Sequence, residues 1–301
     1  MSHLHRSRLV PGAAALLLAA LTSTGVAQAA PAGAASRGSS SSCSLPMPLR
    51  AQDFSHGLRI DNRYLPWVPG SRHTYTGTTV DDTGTRVPHM VITTVTDMYK
   101  MVDGIRSRVI YDVDRNSSGV TEAELAFFAQ DDRGNVWNVG EYPEEYDNGR
   151  FSGAPSTWIS GQAGATGGLH MLADPTRQAL WEHEYLQGRS PTIDFLDCAE
   201  IEGAGTTATV PAGRFPGVLT TYERSPLESR SAIQTKEHAP GVGIVRIGSI
   251  HDAEGEQLGL VRIESLSPAQ LRAVDTQVRA LDRRAYRVSE VYRATTQARV
   301  G

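Results

Sequence analysis

The 301-residue chain has two cysteines, one long apolar run, and none of the short motifs that mark the common enzyme classes. No Gly-x-Ser-x-Gly elbow, no histidine pair four residues apart and no phosphate-binding glycine loop occurs, so a serine hydrolase of the α/β type, a zinc protease and a nucleotide cradle have no signature here. The apolar run, Leu9 to Leu21, is shorter than the about 20 residues a membrane-spanning helix needs, and no later segment approaches it. Positive charge is scarce in the body. The formal net charge is −4, and from Ser267 onward seven arginines outweigh Asp275, Asp282 and Glu290, so the remainder is more acidic than the whole. Such a body lacks the cationic surface that nucleic-acid binding requires.

What is present at the N-terminus sets the compartment. Arg6 and Arg8 precede the apolar run and Ala27-Gln28-Ala29 follows it, the layout of a secretory signal peptide over residues 1–29, with the mature chain secreted from Ala30. Residues 30–42 are Ala, Gly and Ser without periodicity and read as a flexible leader. An even cysteine count in an exported chain reads as a disulfide, Cys43 to Cys198. Closing so long a loop contributes at most about 5 kcal/mol in the chain-entropy model. Ser39 to Ser42 lack the apolar approach of a lipoprotein signal, so Cys43 is not read as a lipid anchor.

With 40% hydrophobic and 21% charged residues the chain can bury a core. Short runs of β-branched and aromatic residues, broken by Gly, Pro, Asn and Asp, predict strands near 72–79, 87–98, 105–113, 121–130, 135–141, 156–160, 178–186, 192–200, 206–211, 217–224, 231–238, 243–250 and 257–264. Asp103-Gly104, Arg133-Gly134, Asn148-Gly149 and Glu254-Gly255 fall between runs, where positive φ is wanted. So many consecutive strands predict a mostly β fold over 43–266, an antiparallel curved sheet or a partial or closed β-barrel. A C-terminal amphipathic α-helix over 267–298, packed on the β domain, follows from Ser267-Pro268 with Gln270 and the stripe Leu271, Val274, Val278, Leu281, Ala285, Val288. Its arginines also suit an anionic surface such as lipid.

Four constellations are candidates for chemistry. Asp132, Gly134 and Trp137 have the spacing of an Asp-box hairpin, with Trp137 available for ligand stacking. Asp112, Asp114 and Asn116 place oxygen ligands at alternate positions, as calcium loops do, and Ca2+ is the one cofactor the sequence admits. Alternation sets Trp181, His183 and Tyr185 on one face of a strand, a polar group among aromatics as in a ligand pocket. Glu141, Glu144, Glu145 and Asp147 are dense enough to supply a glycosidase pair, though such a loop is ordinarily solvated surface.

Val68 to Tyr75, Ala129 to Glu141, and His238 to Val245 with its Ala239-Pro240-Gly241-Val242-Gly243 core resemble a family of exported bacterial β-rich proteins, common in actinobacteria, that has no assigned activity. The resemblance spans most of the domain and supplies no catalytic residue. Asn138 departs from it, since the family pattern has an aromatic there. The sequence therefore reads first as a secreted non-catalytic protein that binds a small apolar or amphipathic molecule or a cell-surface partner. A secreted hydrolase using clustered Glu or His, and an envelope-associated structural protein, are the alternatives.

Overall fold

The structure is a computed structural model that describes residues 43–81, 83–177, 184–227, 232–253 and 255–301. The signal peptide, the leader, Trp181 and His183 lie outside the described residues. The strands are β1 (Ser71–Val80), β2 (Arg86–Val102), β3 (Ile105–Asn116), β4 (Gly119–Gln130), β5 (Val136–Asp147), β6 (Arg150–Gly153), β7 (Trp158–Ile159), β8 (Thr166–Met171), β9 (Tyr185–Ser190), β10 (Phe195–Val210), β11 (Gly213–Arg224), β12 (Ile233–Ala239), β13 (Gly243–Ile250), β14 (Gln257–Ser265) and β15 (Arg299–Val300).

Every pairing among these strands is antiparallel, and β1 pairs with both β14 and β2, so β1–β5 and β8–β14 close into a twelve-stranded barrel. The fold class is thus the closed form of the expected sheet. β6 and β7 pair with β5 off the ring, and β15 pairs with β2. Asp103-Gly104 and Asn148-Gly149 each take positive φ at both positions, the mirror-image turn that matches strand twist, and they close the β2–β3 and β5–β6 hairpins.

Two differences from the sequence reading have clear causes. Runs 192–200 and 206–211 belong to the single strand β10, which absorbs register shifts around Gly203 and Gly205 without ending. β8 is absent from the reading because Gly167 and Gly168 look like a turn. They serve close approach instead: a Cβ on Gly167 would lie 2.6 Å from the Asn138 carbonyl oxygen, and one on Gly168 2.3 Å from that of Leu186.

The C-terminal helix divides. α1 (Pro268–Val288) starts with the Ser267/Gln270 capping box and lays Val274, Val278, Leu281 and Ala285 against the outside of the barrel. Ser289 is extended and caps the short α2 (Glu290–Arg293), which turns Tyr292 into the core between Tyr142 and Tyr286, ring centroids 5.1 and 5.2 Å away. Lys100, wholly buried on β2, fastens this end of the chain: its Nζ donates to Asp282 Oδ1 (3.0 Å), Tyr286 Oη (3.0 Å) and the Thr296 carbonyl (2.7 Å). Burial lowers its pKa to about 8 against the opposing pull of Asp282.

The segment before β1 spans one mouth of the barrel. Asn62 donates to the Gly134 and Leu172 carbonyls, the Gly241 amide donates to Arg63, and Leu65 and Trp67 sit in the core beneath. Cys43 and Cys198 are bridged, fastening the N-terminal segment to β10, with Ser44 pairing to Tyr185. Among the described residues no helix is long and apolar enough to cross a membrane.

Candidate functional site

Alternation gives each strand an inner and an outer face, and here the two faces have opposite chemistry. The inner face carries Asp112 and Asp114 on β3, Glu122 and Glu124 on β4, Glu141 and Glu145 on β5, Thr221 and Glu223 on β11, and Gln234, Lys236 and His238 on β12. Asp112 stands directly opposite Glu124, and Asp114 opposite Glu122. Burial, reinforced by Glu141 and other neighbouring carboxylates, pushes the Glu124 pKa well above the ordinary range, so it holds its proton. His89 reaches Glu256 (3.2 Å) and Asp114 (3.6 Å). Burial opposes its charge, but those two acids outweigh burial and raise its pKa to about 10.

Lys236 and Glu223 form an ion pair with both side chains buried. Lys100 and Lys236 are the only lysines in the sequence, and both are 0% exposed. His170 and His238 are kept neutral by burial, with Lys236 adding to the effect.

The residues singled out from sequence separate. Trp137 faces outward and is buried, with Phe54 6.2 Å away edge-on and its Nε1 donating to Asp131 Oδ2 (2.9 Å). The hairpin is held by Asp131 rather than Asp132: Asp131 Oδ1 accepts from the amides of Arg133 and Asn135, both at 2.9 Å. An aspartate closes the turn two residues ahead of it, which selects Asp131, and Asp132 instead accepts from Ser55. Tyr185 faces the lumen.

Asp112 and Asp114 lie on the strand β3 itself, while Asn116 folds its carboxamide back to accept from the Ser118 amide (2.8 Å). Among the described residues no three His, Cys, Asp or Glu side chains converge as a metal-ligand set.

Glu141 and Glu144 correct the loop reading, since both are buried on β5. They point to opposite faces. Glu141 accepts from Asn138 and Trp158 inside, and Glu144 accepts outside from Tyr142 (2.8 Å), Tyr146 (2.7 Å) and Arg284. They form no catalytic pair.

The feature sequence reasoning missed is a cleft of about 490 Å3 on the outer face, under α1. Met90 and Ile92 of β2, Val113 of β3, Val120 and Ala123 of β4, and Leu281 of α1 form its apolar floor. Arg72 and Arg115 stand at it, Arg115 exposed and Arg72 tied by one N–H to Thr94 Oγ1 (3.2 Å). Alternation carried the signal. Asp112-Val113-Asp114 and Glu122-Ala123-Glu124 place acids on one face and apolar groups on the other, so one of the two walls had to be polar.

No family model matches this sequence, and no curated protein matches it. Two solved structures are similar to part of the chain. A protein of Bacteroides fragilis assigned as exported, with a YmcC-like fold, is 14% identical at a TM-score of 0.40, covering 67% of this chain and 99% of its own. A protein of Parabacteroides distasonis assigned as a lipoprotein is 13% identical at 0.34, with the same coverage.

Proposed function

We propose that the protein is an exported, non-catalytic carrier that holds a small amphipathic anion in the cleft under α1. The observation that carries this reading is the pairing of an apolar floor with two arginines in a space of about 490 Å3. Ligand sites are typically a few hundred Å3, mostly apolar, with few polar groups that fix orientation. A hydrocarbon chain would lie along Met90, Ile92, Val113 and Leu281, and its carboxylate or phosphate would meet Arg72 and Arg115, whose guanidinium groups suit oxyanions. Export rests on the N-terminal signal features and agrees with a bridged cysteine pair. The carrier reading is favoured over hydrolysis because the buried carboxylates are committed to other partners or to opposite faces of β5.

Native mass spectrometry of the folded protein before and after organic extraction tests it. A released anionic amphiphile, restored by adding dodecanoate, is the expected result. A protein that carries no such molecule and takes up no dodecanoate refutes the reading.

A further inference from the structure

α1 carries charge of both signs, and the fold sorts it by side. Its two acids turn toward the barrel: Asp275 and Asp282 are buried, and Asp282 accepts from Lys100 and from Tyr292 Oη (2.7 Å). Arg272, Arg279, Arg283 and Arg287 recur at intervals of seven, four and four residues, which sets them on one stripe of the helix. That stripe lies opposite Val274, Val278 and Ala285, which pack on the barrel. Arg272, Arg283 and Arg287 are exposed and Arg279 is half-buried. Among the described residues no carboxylate forms an ion pair with the exposed three, whereas Arg284, off the stripe, is held by Glu144. At the helical rise, Arg272 to Arg287 makes a ridge about 22 Å long.

We infer that this ridge docks the protein on a bilayer of anionic phospholipid. Its charge is complementary to such a surface, and a straight row on a helix laid over the outside of a barrel meets a plane along its whole length. The acidic remainder of the chain is repelled by the same surface, so the charge asymmetry also fixes the orientation, with α1 toward the lipid. Docking is peripheral, because the apolar stripe of α1 is already packed on the barrel.

The flank of the ridge separates a bilayer from a soluble polyanion. Val288 at the end of α1 and Phe151 on β6 are exposed, and the Phe151 ring lies 5.2 Å from the Arg284 guanidinium. Aromatic and apolar side chains beside arginines suit the boundary between headgroups and acyl chains, whereas a chain of sulfates or phosphates leaves them in water. Gln277 and Leu281, on this same flank of α1, line the outer cleft. A docked ridge therefore sets the cleft beside the bilayer, but docking does not depend on what the cleft holds.

Co-sedimentation of the mature, disulfide-bonded protein with vesicles tests the inference. Binding is expected to vesicles of equal parts phosphatidylglycerol and phosphatidylcholine, not to phosphatidylcholine alone, and to weaken as salt screens the charges. Each arginine near an anionic surface strengthens binding about fivefold. Arg283→Gln should therefore cost about fivefold, and Arg272→Gln, Arg283→Gln and Arg287→Gln together on the order of a hundredfold. The same three positions changed to Lys keep the charge and should keep the binding. All three side chains are exposed, so the urea midpoint should stay near that of the parent.

A second triple, Arg133→Gln, Arg189→Gln and Arg214→Gln, removes the same charge from exposed positions on the barrel and is expected to bind as the parent does. Ile92→Glu, in the outer cleft, should also leave vesicle binding in place, which keeps this test separate from the carrier reading. No binding to anionic vesicles at low salt, or an equal loss in the two Gln triples, would overturn the inference. Ridge-dependent binding to dextran sulfate without binding to vesicles would overturn it as well, by assigning the ridge to a polymer.

Discussion

On the inner face of β3 and β4, Asp112 and Asp114 stand against Glu124 and Glu122; one residue along, on the outer face, Val113 and Ala123 line an apolar cleft under α1. The same two strands thus supply a charged interior and a greasy exterior, the reverse of the usual soluble arrangement. Like charges placed directly across a ladder repel, and the lumen tolerates them by protonating Glu124 and by setting His89 among acids. The cleft has no such debt. Its cost is exposed apolar surface, which is retained where something binds to it. The difference teaches that polar chemistry inside this barrel is mainly a matter of stability and specific pairing, while the outer cleft is where a ligand can enter.

The largest test of that division lies at Lys236. Replacing it with Met leaves Glu223 buried without its partner and is expected to cost about 3–5 kcal/mol in urea unfolding. The double variant Lys236→Met with Glu223→Leu should recover most of the loss, because neither charge then remains. A single variant as stable as the parent would mean that the lumen is wetter than the side-chain burial implies.

Under the helix, Leu281→Ala removes buried apolar volume and should cost about 2 kcal/mol or more, measured in the same way. Its effect on lumen groups should be nil, since α1 packs on the outside.

Buried titratable groups on both faces of the barrel also predict a pH dependence. The folded-state pKa of His89 is raised from 6.5 to about 10, so its stabilising contribution is complete below pH 6.5 and is lost as the pH rises through about 10. Lys100, whose pKa is lowered from 10.5 to about 8, contributes the opposite slope between pH 8 and 10.5. Urea midpoints of His89→Gln should therefore lose the decline that begins above pH 6.5 and leave the Lys100 component. A variant that keeps the full decline would show that His89 does not carry it.

The smallest effect on stability is expected at Arg115→Gln, below about 0.5 kcal/mol, since the side chain is exposed. Dodecanoate affinity should nevertheless fall about tenfold, the scale of one charge-assisted hydrogen bond. Equal affinity in the variant would remove Arg115 from the site.

Most of the fold was legible because period-2 patterning and turn chemistry act locally. Asp103-Gly104 marked a hairpin, Ser267 to Gln270 marked a helix start, and the bridged cysteines followed from export. β8 was not legible, since its two glycines serve strands that are distant in sequence. Closure was also beyond local signals, because whether β1 meets β14 depends on the summed twist of the whole sheet. The site was harder still. Asp112 and Asp114 were picked out, but as a loop, since oxygen at alternate positions suits both a calcium loop and the inward face of a strand. The cleft joins residues 72, 92, 115 and 281, and only the docking of α1 brings them together.

Calorimetric titration of dodecanoate into the mature protein at several temperatures tests the central claim, that the outer cleft is the carrier site. One saturable site is expected, with the negative heat-capacity change that marks apolar burial, lost in Ile92→Glu and kept in Tyr185→Phe. Binding that is absent from the parent protein, or undiminished by Ile92→Glu, would contradict it.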